Sequence, residues 1–314
     1  ALLLALSSNI GVGTMVLSFR LTFLGWLDQR LASELYVSAE TQTQAAEMLL
    51  FLEGRAVALP IWGADADIAG APGEVYSIAD HSTYRDAWPL LSSLPDPWDL
   101  VAQAQGTMIN EQLARREGLS PGDLINLPGG AMTIAGVYSD YGHPLGQALV
   151  SPDVFIERFP DADRTDFGLR VDPAAASALR GALVDDFGLD PARMTDQAAL
   201  KDISRQVFER TFAVTGALNV LTLGVAGVAI LTSLMTLATM RLPQLAPVWA
   251  LGINRRQLAW IEVARAPALA ALTALFALPV GLILAWVLLA VINVEAFGWR
   301  LPMQVFPGEG ARLL

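Results

Sequence analysis

Few residues of this 314-residue chain are of types that do covalent or metal chemistry. Cysteine is absent and histidine occurs twice, at His81 and His143. Without a thiolate there is no disulfide framework, no zinc-finger or iron–sulfur ligation and no cysteine nucleophile. Neither histidine stands in an HExxH or related spacing that would turn two ligands toward one metal ion. Lys201 is the sole lysine, and no glycine-rich turn precedes it to make the phosphate cradle of a P-loop, so nucleotide hydrolysis by this chain is excluded. One cluster does bring a hydroxyl, a carboxylate and an imidazole together: Ser139, Asp140, Tyr141, Gly142 and His143. It lacks the GxSxG elbow that presents a serine nucleophile. Asp140, Gly142 and Pro144 are turn formers, which favours a structural or partner-binding loop. The carboxylates Asp65, Asp67, Asp161, Asp163 and Asp166 do not follow the twelve-residue order of an EF-hand and read as solvated acidic loops. The sequence assigns no catalytic residue, no metal site and no cofactor.

The elements that would hold these residues are unusually apolar. Hydrophobic residues make up 54% of the chain and charged residues 16%, with a mean hydropathy of +0.45, too apolar for an ordinary soluble domain. Three stretches carry no charge: 1–19, 211–240 and 266–294. About 20 helical residues cross the hydrocarbon core, so each stretch is long enough to span a bilayer. Helix is the form such segments take, because lipid offers backbone groups no partner. The chain divides into a first span with an amphipathic exit (1–27), a domain (28–210), a second span (211–240), a short connector (241–265), a third span (266–294) and a tail (295–314). Arg20 follows 19 uncharged residues and is expected to snorkel to the outer headgroups, with the helix continuing to Gln29.

Charge separates the domain from the spans. Residues 28–210 hold 28 Asp and Glu against 13 Lys and Arg, whereas the remainder holds 7 Arg against 3 Glu. So acidic a surface argues against nucleic acid or anionic lipid as its partner. The connector carries Arg241, Arg255, Arg256 and Arg265 against Glu262 alone. Arginine in short loops resists translocation, which places the connector in the cytoplasm and the 28–210 domain, with the tail, outside. Trp26, Trp286, Phe297 and Trp299 fall near the outer ends of the spans, where amphipathic rings are favoured. Within the spans, Gly11, Gly13, Gly224, Gly227, Ala213 and Ala217 permit close helix packing.

The domain alternates short strands and helices, predicting an α/β or α+β fold with its own core. Strands are predicted at 35–39, 57–61, 75–79, 107–110, 124–127, 132–138, 147–150 and 166–171. Helices are predicted at 41–53, 84–91, 111–117, 152–158, 173–187 and 196–208. Pro121 and Gly122 set a tight turn, and the PGG at 128–130 joins two strands as a hairpin. Asp172 is expected to cap a helix opening at Pro173. The helix from Asp196 meets no Pro or Gly before Gly216, so it runs into the second span.

The connector reads RLPQLAPVWALGINRRQLAWIEVAR. Pro247 to Leu258 has the pattern of a short helix at the inner membrane surface. Arg241, Leu251, Gly252, Arg255, Arg256, Gln257 and Leu258 resemble the cytoplasmic signature of the FtsX-like permeases, R-x-x-E-x-x-x-L-R-A-L-G-A-S-x-x-Q-I. Gln244, Trp249, Ile253 and Asn254 depart from it. GVGTMVLSFRLTFLGWLDQRLASELYVSA resembles the segment opening the second half of the duplicated large permeases of this family. TMINEQLARREGLSPGDLINL with MTIAGVYSDYG is similar to the outer domain of MacB- and LolC-type permeases, and VINVEAFGWRLPM resembles the end of their third span. The resemblance implies a MacB-like periplasmic core domain inserted between the first two spans, with a fourth span beyond Leu314. The chain would then be the C-terminal half of a large bacterial inner-membrane permease.

The resemblance further implies a transport subunit, without enzymatic activity, of an ABC transporter. A separate ATPase subunit binds ATP and grips a coupling surface at Arg241, Pro247, Trp249, Leu251, Gly252, Asn254, Arg255, Arg256, Gln257 and Leu258. Spans two and three tilt and the outer domain moves, extracting or exporting lipoprotein, lipid, peptide or drug. The partners implied are that ATPase, membrane lipid, a second permease half or dimer mate, and a periplasmic protein. The alternative is a membrane-anchored extracytoplasmic scaffold or sensor that recruits or activates a cell-envelope enzyme.

Overall fold

The computed structural model describes residues 2–141, 145–250 and 254–305. In chain order the elements begin α1 (Leu2–Arg30), β1 (Leu35–Ser38), α2 (Gln42–Leu52), β2 (Val57–Pro60), β3 (Gly63–Ile68), β4 (Ala71–Ser77) and α3 (Ser82–Arg85). They continue β5 (Leu90–Ser93), α4 (Pro97–Ala102), β6 (Gly106–Asn110), α5 (Glu111–Glu117), β7 (Leu124–Leu127), β8 (Gly130–Tyr138) and β9 (Gly146–Val150). The rest are α6 (Pro152–Arg158), β10 (Asp166–Arg170), α7 (Ala176–Asp185), β11 (Met194–Asp196), α8 (Gln197–Ala250), α9 (Arg255–Val287) and α10 (Asn293–Phe297). A π-helical stretch, Leu288–Ile292, joins α9 to α10. The chain forms two compact units, one of Ala1–Thr22, Val207–Val294 and Arg300–Leu314, the other of Phe23–Gln206 and Glu295–Trp299.

The first unit is helical. Among the described residues, three helical segments are long and apolar enough to cross a membrane: Leu3–Arg30, Gln197–Ser233 and Pro267–Phe297. The surface of α8 supplies the reason, since Val214, Val220, Leu221, Val225, Val228 and Leu231 are all exposed. In water that face would be an aggregation site, whereas in lipid it is solvated. Helices α1 and α9 meet closely. A Cβ added at Gly281 would lie 2.7 Å from the Cβ of Ile10, and one at Gly11 would lie 2.9 Å from Leu284 Cδ2. Of the small residues expected to allow packing, Gly11 does so, while a Cβ at Gly13, Gly224 or Gly227 would meet nothing within 4 Å among the described residues. Arg20 bonds Glu209 of α8 at 3.1 Å, with both side chains about half exposed.

The second unit is the α/β domain, built on two sheets. A four-stranded antiparallel sheet has the order β11-β1-β10-β2, with Leu35 opposite both Leu169 and Asp196. The larger sheet runs β3-β4-β9-β6-β8, and the far edge of β8 is shared by β7 and β5. Strand pairs β4/β9 and β6/β8 are parallel, the others antiparallel. Alternate residues of β1 and β10, Leu35, Val37, Phe167 and Leu169, close one core on Met48 and Leu52 of α2 and Leu183 of α7. Ile109, Ile134, Val150 and Phe155 centre another beneath α5 and α6.

Each of the eight predicted strands overlaps an observed one, and the PGG turn makes the β7–β8 hairpin, with Leu127 opposite Gly130. Four elements were not legible. Strand β3, GADADI, carries residues of low strand propensity and forms because all six pair with β4. Strand β11 is a three-residue edge beside β1, and α4 is a single turn and a half. The helix expected over 84–91 is reduced to Ser82–Arg85, and Leu90–Ser93 pairs with β8 as β5 instead. Pro89 explains the change, since it disfavours helical geometry at Trp88 and brings no N–H. The helix expected from Pro173 starts at Ala176, and Asp172 accepts from Ala174 N–H at 2.9 Å in a turn before it. Three of the five carboxylates expected in loops lie in strands, Asp65 and Asp67 in β3 and Asp166 in β10.

The domain holds the helices that leave and enter it by a compact set of bonds. Glu34, just beyond α1, accepts from Arg170 Nη1 at 2.9 Å and from Val171 N–H at 3.0 Å. Gln197, the first residue of α8, donates its N–H to Glu34 O at 3.1 Å, and its side-chain amide to Leu31 O. Lys201 Nζ reaches Asp28 at 2.8 Å. The segment after α10 also belongs to the domain. Trp299 is buried, with its ring 5.2 Å from that of Tyr141, and Gly298 takes a left-handed φ of 78° against Gln112. Trp299, expected at a membrane interface, thus packs into the protein.

Two outcomes follow from these contacts. Glu34 is largely buried with two charge-assisted bonds, so Glu34→Ala is expected to cost about 2 kcal/mol, lowering the domain's melting temperature by roughly 4–8 °C in a thermal scan. Burial pushes the hydroxyls of Tyr36 and Tyr76 up to about 12, with Glu74 adding to the rise at Tyr76. A raised tyrosine pKa contributes stability that is complete below pH 10 and lost as pH climbs through 12. Phenolate absorbance and domain unfolding should therefore rise together in that window, and a phenolate signal complete by pH 10 would contradict the burial.

Candidate functional site

Among the described residues, the arginine-rich connector shows no separate helix of its own. Residues 241–250 continue α8, and 255–258 open α9, so the short separate helix expected over Pro247 to Leu258 is replaced by the ends of two long ones. Arg241, Pro247 and Trp249 therefore occupy the last three turns of α8. Leu251 and Gly252 lie outside the described residues, as does Ile253. Pro243 and Pro247 sit within the helical run, where each removes one backbone bond and favours a bend.

Asn254 is the N-cap of α9, and Arg255, Arg256, Gln257 and Leu258 form its first turn. Its backbone is extended, with φ −69° and ψ 142°. Gln257 Oε1 accepts from Asn254 N–H at 3.3 Å, and Gln257 N–H donates to Asn254 O at 2.9 Å. This is a capping box, in which an N-cap residue and a glutamine three positions on satisfy each other's backbone. It gives the N-x-x-Q of Asn254 and Gln257, which resembles the S-x-x-Q of the FtsX-like signature, a local cause. Asn and Ser are equivalent as N-caps, so Asn254 departs from the signature in letter and keeps its chemistry. Arg255 and Arg256 are at the wrong end for helix stability, because cations in a first turn oppose the macrodipole. Asn254, Arg256 and Gln257 are exposed.

The route from the domain to this segment is one helix. Helix α8 runs for 54 residues from the strand pair β11/β1 to Ala250. Its first turns are fixed by Gln197 and Lys201, as described above. The sequence indicated the continuity as far as Gly216. Glu34 and Arg170, which brace its start, belong to no motif, and only their meeting across the sheet marks them.

The residues considered for chemistry are placed separately. His81 caps α3, its Nδ1 accepting from Thr83 N–H at 3.2 Å. Ser139 N–H donates to Pro89 O at 2.9 Å, and the carbonyl of Asp140 accepts from Gln112 Nε2 at 2.6 Å. Gly142 and His143 lie outside the described residues. Among the described residues no group of three or more His, Asp or Glu is placed to hold a metal ion.

No family model matches the chain. It is 28% identical over 334 aligned positions to an uncharacterised ABC transporter permease protein of Mycobacterium tuberculosis. That alignment covers 97% of this chain and 38% of the relative, so the chain spans well under half of the relative's length. Among solved structures it is similar to the extracellular domain of the noncanonical ABC-type transporter YknZ from Gram-positive bacteria, at 13% identity and a TM-score of 0.38, covering 52% of this chain and 98% of that one. It is also similar to the periplasmic region of MacB from Actinobacillus actinomycetemcomitans, at 11% identity and a TM-score of 0.40, covering 55% and 91%. Over nearly its whole length, helices and domain alike, the chain is similar to an ABC transporter permease.

Proposed function

We propose that the chain is the transmembrane part of an ABC transporter that passes ATP-driven movement from a separate ATPase subunit to a domain outside the cell membrane. The likeness to a permease along 97% of the chain carries this reading. The unbroken course of α8 supports the mechanical part of it. Arg241, Arg255, Arg256 and Arg265 face the cytoplasm under the positive-inside rule, which sets the domain on the opposite side of a bacterial inner membrane.

In this reading the ATPase grips the end of α8 and the start of α9, around Arg241, Pro247, Trp249, Leu251 and Gly252 on one side and Asn254 to Leu258 on the other. The arginines that oppose the dipole of α9 instead meet acidic groups of the ATPase or lipid phosphates. A tilt of α8 is delivered to the four-stranded sheet through Gln197 and β11. Cargo is a lipoprotein, lipid, peptide or drug extracted or exported by the moving domain, and a second permease half completes the transporter.

The test is ATP hydrolysis by the cognate ATPase in proteoliposomes. Gly252→Pro, or Arg255→Glu with Arg256→Glu, is expected to reduce permease-dependent stimulation by about ten-fold or more, since reversing charges at a buried contact costs several kcal/mol. The ATPase should still co-purify with the unaltered chain. Undiminished stimulation by both variants, or no ATPase at all, overturns the reading and leaves a membrane-anchored scaffold.

A further inference from the structure

Within the domain unit lies a cavity of about 450 Å³, inside the range of small-molecule sites. Trp26 and Arg30 from the last turns of α1 form one wall, Tyr36 and Tyr76 come from one strand of each sheet, and Trp88 and Asp140 complete it. The lining is mostly apolar and aromatic, with few polar groups. Those few are unusual. The Arg30 guanidinium carbon sits 4.7 Å from the Trp88 ring centre, 5.8 Å from that of Trp26 and 5.9 Å from that of Tyr138. Arg30 Nη1, Trp26 Nε1 and Trp88 Nε1 are all shut from solvent with no acceptor among the described residues.

Three nitrogen atoms on residues that line one cavity lack acceptors among the described residues, a costly arrangement because each loses its hydration, although the Arg30 side chain also bonds Tyr138 and stacks on Trp88. Oxygen acceptors entering the cavity would meet them after small side-chain rotations, which commonly accompany binding. The charge of Arg30 makes an anionic acceptor the best match. Tyr36 and Tyr76 are neutral at physiological pH, and the Tyr76 hydroxyl is already bonded to Glu74. Asp140 disfavours a second anionic group. The ligand therefore has one charged end and an apolar body to cover the aromatic walls.

We infer that this cavity binds an amphipathic molecule carrying a single carboxylate or phosphate, with that group set toward Arg30. The inference goes beyond the coupling function and stands apart from it, because binding is read without nucleotide or ATPase.

Octyl phosphate is the probe, titrated calorimetrically into the full chain in phosphatidylcholine nanodiscs, with empty nanodiscs subtracted. Saturable binding is expected, weakened by about ten-fold or more in Arg30→Gln, the loss of one charge-assisted contact. Octanol should bind about as weakly to the unaltered protein. Ser77→Leu sets a larger apolar side chain at the cavity wall while leaving Arg30 unsubstituted and should weaken binding by about ten-fold or more, which keeps the test decisive if Arg30→Gln fails to fold. Equal affinity for octyl phosphate and octanol, or full affinity in Ser77→Leu, overturns the inference. Nanodiscs containing phosphatidylglycerol identify the source: competition there supports a membrane lipid as ligand, and undisturbed binding supports a water-borne amphiphile.

Discussion

A backbone that enters hydrocarbon must find its hydrogen bonds within its own segment, and this requirement organises the chain. It leaves the second apolar stretch no form but helix, and once helical that stretch has no reason to stop at the membrane surface. Helix α8 accordingly starts at the edge of a sheet and continues to Ala250. A loop at either surface would absorb displacement in its soft dihedrals. A helix absorbs less, because its backbone bonds fix those dihedrals.

The two ends of α8 are held in different ways. At the domain, Gln197 continues the bonding of β11 beside β1, and Glu34 joins the backbone of β10 to the exit of α1. These contacts are backbone-rich and partly buried, which makes them specific in geometry. At the connector, α9 restarts on a capping box, whose reciprocal bonds define where one helix ends and the next begins. Two arginines follow at once, against the helix dipole. Their charges do not serve the stability of α9, since cations in a first turn oppose the macrodipole.

Several features were readable from residues alone because their cause is local. Charge-free runs longer than the hydrocarbon core fixed the three membrane-length helices, and period-two and period-3.6 patterns located most domain elements. Pro and Gly placed the β7–β8 hairpin, where Gly129 takes a left-handed φ of 86°. The failures have a common cause as well. The segment 84–91 is helical in pattern, but Pro89 and an open edge on β8 draw Leu90–Ser93 into a sheet. GADADI is a weak strand by composition and a strand in fact because β4 lies beside it. In both, a partner distant in sequence overrode a local preference.

The sequence by itself determined the class of the protein: membrane-length helices, an acidic α/β domain between the first two, and an arginine-rich connector between the last two. Composition and spacing suffice there, because hydrophobic length and charge act without regard to partners. The tertiary structure alone decided which residues brace the domain, that Trp299 packs on Tyr141 rather than at a lipid interface, and that Arg30 is enclosed by rings from three separate segments. Glu34 and Arg170 lie 136 residues apart, and Trp26 and Trp88 are joined by no motif. Contacts of that kind come from chain crossing, and only the folded chain brings them together.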